Sequence, residues 1–338
     1  MKSKSIRCRT SDSRYDFGRQ RPLVSGTNLR MDPTPNILLD TDMLTDCDDA
    51  AALASLHALA DRGEARILGV AVNGIDTHGL HGAVVSAINY YYGRPNIPVA
   101  MTPRSPGQTP SKPSSYSPAI FAEYPHDGLR DAERPDAIDL YRRLLEESED
   151  RSVTIASIGF LSNLADLLCD EAGQELVARK VRAITIMGGN YPEGNEYNFE
   201  CEGSGPTTRA ALASWPSTIP ITYIGFELGT KINTGRCYLA APDSPMRRSY
   251  ELAYDSINRS RPSWDQIAVL HAVRGLVHGG RQWFRPVHGR NQIADSGRNT
   301  WIPNSEEPDA YLELAAPAED LSTVIEELMV APPLMQPI

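Results

Sequence analysis

No stretch of this 338-residue chain approaches the roughly 18 consecutive apolar residues that a membrane-spanning helix needs. Its start also lacks the continuous apolar core of roughly 7–15 residues that marks a secretory signal. Residues 1–30 instead hold eight Lys/Arg against only Asp12 and Asp16, interrupted by Gly18, Pro22 and Gly26. We expect residues 1–34 to be a disordered basic tail, or an over-long start preceding Met31, outside the fold. Cys-x-x-Cys is missing too. The five cysteines, Cys8, Cys47, Cys169, Cys201 and Cys237, are odd in number and widely spaced, which argues against a disulfide framework or a structural zinc site and favours a reducing cytoplasm. There is no surplus of positive charge: 33 Lys/Arg stand against 43 Asp/Glu, a net −10, which points away from a nucleic-acid backbone or an anionic membrane as the main partner. It leaves a small neutral ligand or a cation open. Internal repeats and linkers are absent as well, so one domain over 35–338 is expected.

What is present is an ordinary soluble composition, 41% hydrophobic and 22% charged, patterned as alternating strands and helices. Asn36–Asp40, Arg66–Asn73, Ile97–Met101, Val153–Gly159, Ala183–Gly189 and Ile221–Gly229 read as buried strands. Asp48–Ala60, Leu80–Tyr92, Ala137–Glu147, Leu161–Leu168 and Pro206–Ser214 read as helices. The alternation predicts an α/β fold, doubly wound, with a mostly parallel central sheet and helices on both faces. Residues 102–118 read as a long Pro/Ser-rich loop. Arg298–Ile302 and Ala310–Leu314 read as a small C-terminal β-hairpin, and Leu321–Met329 as a closing helix.

In such folds ligands bind beyond the carboxyl ends of the strands. Asp40 and Asp42 stand at such an end, and Asp46, Asp48 and Asp49 follow within ten residues. Capping of the next helix explains one or two of these carboxylates, not five. Together they repel one another unless a cation neutralises them. A hard divalent ion with oxygen ligands answers that need, and it requires ligands from elsewhere in the chain. Asp265, which opens a later apolar helix, is a candidate, although taken alone it reads equally well as an N-terminal helix carboxylate.

The run Ile37-Leu38-Leu39-Asp40-Thr41-Asp42, with Asp48-Asp49-Ala50-Ala51-Ala52-Leu53, resembles the signature of the inosine-uridine-preferring nucleoside hydrolases. Four later segments resemble further motifs of that family in the same order: Ile158-Gly159-Phe160-Leu161-Ser162-Asn163, Met187-Gly188-Gly189, Asn195-Glu196-Tyr197-Asn198-Phe199 and Trp264-Asp265. The resemblance spans roughly residues 35–330. It implies a homodimer or homotetramer that hydrolyses the N-glycosidic bond of a small riboside in purine or pyrimidine salvage. It implies Ca2+ held by Asp42, Asp49, Asp265 and the carbonyl of Ile158, with Asp48 as general base for the attacking water. Asn73, Asn195, Glu196 and Asn198 would contact the sugar.

The departures are informative. The aspartate loop is two residues longer than the family's common form and adds Asp46. Trp264 stands where many relatives place a His that assists the leaving purine; Trp has no titratable proton but can stack on an aglycone. Asp40, His78, His81, His126 and Glu227 are further candidates near strand ends. Two other readings exist. A haloacid-dehalogenase-type phosphatase also begins with an apolar strand ending in Asp-x-Asp, and would use Asp40 as nucleophile. A calcium-dependent sugar- or nucleoside-binding protein would share the metal and sugar residues without turnover.

Overall fold

The computed structural model describes residues 34–104, 107 and 111–334. The tail expected over residues 1–34 lies outside the described residues except for Thr34. Strand β1 (Asn36–Thr41) is buried along almost its whole length. Its side chains alternate between two apolar layers: Ile37 and Leu39 enter one core, and Leu38 the other. That period-2 alternation with both faces apolar is what a central strand between two helical layers requires. β2 (Arg66–Val72) repeats it, with Val70 and Val72 on one side and Ala71 on the other.

The remaining strands of the main sheet are β3 (Val99–Met101), β4 (Val153–Ser157), β5 (Val181–Met187), β6 (Glu193–Gly194), β7 (Ile221–Ile224), β8 (Phe284–Ile293), β9 (Asn299–Pro303) and β10 (Ala310–Leu314). Their order is β3-β2-β1-β4-β5-β7-β10-β8-β9-β6. From β3 to β10 every neighbouring pair is parallel. The chain runs outward from β1 through β2 to β3 and then returns to β4 on the other flank of β1. The switch point of the sheet is therefore the crevice between the carboxyl ends of β1 and β4.

Helices α1 (Asp48–Asp61), α2 (His81–Tyr91), α8 (Pro245–Leu252), α9 (Trp264–Arg274) and α10 (Ala318–Met329) pack in one layer; α4 (Ala137–Glu147), α5 (Ser162–Leu167), α6 (Glu171–Lys180) and α7 (Gly205–Ala213) pack in the other. α3 (Ser117–Glu123) interrupts the long loop expected over 102–118. Helix α1 is buried for nearly its whole length, Leu53, Leu56 and Leu59 completely. Burying each such side chain contributes about 1.5–3 kcal/mol. α1 packs against α9, so the first turns of the two helices meet at the same end of the sheet. Asp48 and Asp49 open one, and Asp265 opens the other.

Two details differ from the sequence expectation. The run 221–229 is a strand only to Ile224; Gly225 then starts a helical turn over Phe226–Gly229, tied back by the Phe226 amide donating to the Gly189 carbonyl at 2.8 Å. Antiparallel C-terminal hairpins are present, Val277–His278 with Arg281–Gln282 and β8 with β9. The segments 298–302 and 310–314 do form strands, but each pairs with a different half of the long strand β8 rather than with the other. Among the described residues no helix is long and apolar enough to cross a membrane.

Candidate active site

The crevice at the switch point holds a cavity of about 260 Å³. Six carboxylates line it: Asp42, Asp46, Asp48, Asp49, Glu196 and Asp265. Among the described lining residues the one cation is Arg261. The backbone brings them together in three pieces. The loop after β1 carries Asp42 and Asp46 and runs into α1 with Asp48 and Asp49. The end of β4 brings Ile158, whose amide donates to the Asp40 carbonyl at 2.7 Å and so registers the two strand ends. The start of α9 brings Asp265.

Gly159 fits this junction because it has no side chain: a Cβ there would lie 2.4 Å from the Asp42 amide nitrogen and 2.8 Å from the Asn73 Oδ1. The aspartate loop also bends through Met43, which holds a left-handed φ of 50°. Its carbonyl accepts from the Nδ1–H of His81 at 2.7 Å and from the Tyr116 hydroxyl at 3.3 Å.

The acidic side chains are in different states. Asp49 accepts from the Thr41 hydroxyl and, at 3.2 Å, from the Met43 amide. Asp42 accepts from the Leu44 amide, at 3.3 Å. Oδ1 of Asp48 is buried without a hydrogen-bond partner, and the Nε of Arg261 lies 3.6 Å from it. Oxygens of Asp46, Asp48 and Asp49 fall within 4.8 Å of one another. Burial raises all four carboxyl pKa values of the set Asp42, Asp48, Asp49 and Asp265, and mutual repulsion adds to it; Asp49 reaches about 6. Such a concentration of hard oxygen donors, one buried and unsatisfied, fits a divalent cation.

On the opposite wall Glu196 caps the short helix Tyr197–Glu200 by accepting from the Asn198 amide at 2.9 Å, and accepts from the Gly189 amide at 3.1 Å. Burial lifts its pKa to about 7 against those donors. The Asn198 amide donates to the carbonyls of Ile158, at 3.4 Å, and Met187, at 3.3 Å. The mouth is aromatic. Trp264 stacks on Phe226 with ring centroids 5.3 Å apart, and its indole N–H donates to the Phe226 carbonyl at 3.0 Å. Tyr197, Phe226 and Tyr254 are exposed at the rim.

The sequence profile of the inosine-uridine preferring nucleoside hydrolase family matches residues 37–278. The chain belongs to that family. Its members hydrolyse N-glycosidic bonds, and this chain is a hydrolase of that class. No curated protein matches it at the sequence level. Three solved structures have a similar fold. A plant nucleoside hydrolase, PpNRh1, superposes with a TM-score of 0.65 at 18% identity, covering 89% of this chain and 100% of its own. An inosine-uridine preferring nucleoside hydrolase from Bacillus anthracis gives 0.61 at 15%, covering 87% and 99%. The type III effector protein XopQ, solved with adenosine diphosphate ribose, gives 0.63 at 17%, covering 90% and 96%.

Within this nucleoside hydrolase fold the cavity gathers Asp42, Asp46, Asp48, Asp49, Ile158, Glu196, Asn198, Trp264 and Asp265. It does not gather the rest of the sequence-derived set. Asp40 is fully buried behind the cavity and accepts from Tyr141 at 2.6 Å, from Asn163 at 3.1 Å and from Asn73. A nucleophilic Asp40, and with it the phosphatase reading, is therefore excluded. Asn73 is also fully buried, its amide engaged by Asp40 and by both backbone groups of Phe160, so it braces the strand ends instead of lining the cavity. Asn195 is exposed and accepts from Arg298 at 3.3 Å.

The three histidines lie elsewhere. His78 is exposed. His81 is buried between the Met43 carbonyl and Asp76, whose Oδ1 is 3.2 Å from Nε2; burial alone would depress its pKa, but Asp76 outweighs this and raises it. His126 is engaged with the Phe121 carbonyl and the Gly128 amide. Glu227 accepts from the Tyr191 amide at 2.9 Å and stays outside the lining. Sequence reasoning gave no site role to Arg261, Tyr254, Phe226 and Tyr197: the first two come from segments without periodicity, Phe226 lay in a run read as a buried strand, and Tyr197 stood unassigned inside the Asn195–Phe199 motif. The one available signal was that Arg261 stands three residues before the Trp264-Asp265 pair.

Proposed function

We propose that the enzyme hydrolyses the N-glycosidic bond of a ribonucleoside or related riboside, with calcium bound by Asp42, Asp49, Asp265 and the carbonyl of Ile158. The observation that carries this reading is the set of cavity-lining carboxylates, in which oxygens of Asp46, Asp48 and Asp49 lie within 4.8 Å of one another and Oδ1 of Asp48 is buried without a hydrogen-bond partner among the described residues. When bound, calcium supplies a positive centre that orders water and vicinal ribose hydroxyls and favours ionisation of the water. Asp48 then takes the proton of the attacking water, a role for which a buried carboxylate with raised pKa is suited. Glu196 and Asn198 face it and hold the sugar hydroxyls, Glu196 as acceptor and Asn198 as donor or acceptor. Phe226 and Trp264 cover the aglycone and exclude water. The family resemblance adds the expectation of a homo-oligomer, and the cysteines that of a reducing compartment, where the described Cys47, Cys169, Cys201 and Cys237 stay free.

The test is a reducing-sugar assay over a panel of nucleosides and other ribosides, with and without chelator. ADP-ribose belongs in the panel because XopQ, similar in fold, was solved with it; its distal ribose is already a reducing sugar, so its cleavage is read as adenine release. Calcium-restored release of ribose from at least one member is the expected result. Calcium-dependent binding without any release would leave the binding-protein reading in its place.

A further inference from the structure

Asp46 and Arg261 are the two charged residues of the cavity without a role above. Asp46 exists because the loop is two residues longer than the family's common form. Arg261 reaches the cavity from the segment before α9, and its Nη2 pairs with Asp46. The guanidinium lies between two rings, 5.2 Å from the Tyr254 centroid and 5.5 Å from that of Trp264. Its Nε has no hydrogen-bond partner among the described residues. Burial would depress this guanidinium, but Asp46 and Asp48 outweigh burial and hold it above its ordinary pKa.

Among the described lining residues the hydroxyl-bearing side chains are those of Thr45, Tyr197 and Tyr254, which are neutral and offer no fixed positive charge. The Trp264 N–H already donates to Phe226, and His78, His81 and His126 lie away from the lining. Breaking the C1′–N bond sends its electron pair to the aglycone, which needs either a proton or a fixed positive charge.

We propose that Arg261 is the leaving-group residue, donating a hydrogen bond to the aglycone atom that collects negative charge, and that Asp46 is the positioning residue that holds it there. This rests on the N-glycosidic reading above. A guanidinium remains protonated and acts through charge and hydrogen bonding, not as an acid. The water's oxygen bonds to C1′, its proton goes to Asp48, and the C1′–N pair leaves with the aglycone. The departing anion takes a proton from bulk solvent, and Asp48 returns its own there. Tyr254 and Trp264 keep the fork planar and partly desolvated, where a charged hydrogen bond is strongest. The extra carboxylate of the longer loop is thereby explained as an anchor, not as a fourth carboxylate ligand of the metal.

The test compares the calcium-loaded wild type with Arg261→Gln, Arg261→Lys, Asp46→Asn and the Arg261→Gln/Asp46→Asn double variant. The substrates are inosine, a poor leaving group, and p-nitrophenyl riboside, an activated one. Arg261→Gln should lose about 100-fold or more in kcat on inosine, the scale of removing one charge-stabilising donor. On the activated riboside its loss should stay within about fivefold. Arg261→Lys should recover part of the inosine rate. Asp46→Asn should show the same bias at smaller size and add little to Arg261→Gln, because the two act as a unit. Calcium affinity by titration calorimetry should be unchanged in all variants. Equal losses on both substrates, or calcium binding weakened tenfold by Asp46→Asn, would overturn this role while leaving the hydrolase reading intact. A wild type inactive on every riboside overturns both.

Discussion

Asp40 and Asp48 lie on either side of one loop, and both are withdrawn from water, at 0% and 2% exposure. Burial raises both carboxyl pKa values, that of Asp40 to about 7. They differ in company. Asp40 is surrounded by neutral donors, the Tyr141 hydroxyl and the amides of Asn73 and Asn163, which satisfy it and lock β1 to the helices behind it. Asp48 is a lining residue of the cavity, and among the described residues its Oδ1 has no hydrogen-bond partner. Burial and a raised pKa therefore do not separate scaffold from site here; hydrogen-bond satisfaction does. A buried acceptor left open costs stability, and a fold keeps such a group where a ligand or a reaction supplies the missing partner.

The sharpest way to break this comparison is Asp48→Asn. An amide cannot take the water's proton, so kcat should fall about 10²–10⁴-fold while calcium still binds. The melting temperature of the calcium-free protein should hold or rise, because one of several mutually repelling buried carboxylates is gone. A variant within tenfold of wild type would return Asp48 to the scaffold. Next in size is removal of the metal. Chelation should abolish turnover and lower stability by about 4 kcal/mol relative to protein held at 1,000 times the dissociation constant, read by thermal melts across calcium concentrations. An unchanged melt would show that the open oxygens of the cluster need no cation.

The converse change is Asp40→Asn, which sets an amide N–H₂ against donors. It should cost about 1–3 kcal/mol in urea unfolding while the folded fraction keeps a kcat near wild type. The same residue also sets a pH slope, the most gradual of these effects. The folded pKa of Asp40 is raised above its unfolded value, so the native state binds the extra proton. Its contribution is complete at low pH and is lost as pH climbs from about 4 towards 7, by at most about 1.4 kcal/mol per pH unit. Melts of calcium-free protein should fall across that window, and Asp40→Asn should flatten the slope.

Much of this contrast is legible in the sequence. The apolar runs ending in Asp40 and Ile158 locate the switch point, and the Asp48-Asp49 pair at a helix start is visible from spacing alone. What spacing cannot show is which carboxylate finds donors. Tyr141, Asn73 and Asn163 come from three separate segments, and they meet Asp40 only once the sheet has formed. The same holds for Arg261, which gains its place from the packing of the α9 start against the aspartate loop. The pairing of β8 was hidden because Pro286 and Gly289 break its pattern, and proline argues against a strand when read locally.

Gly159 is not itself a lining residue of the cavity, yet the backbone of the aspartate loop at Asp42 rests directly on its hydrogen. One added methyl group there has nowhere to go except into the Asp42 amide, so it would lift the loop off its seat while both apolar cores stay packed. The hydrolase can thus be silenced without being unfolded, from a position that no substrate contacts.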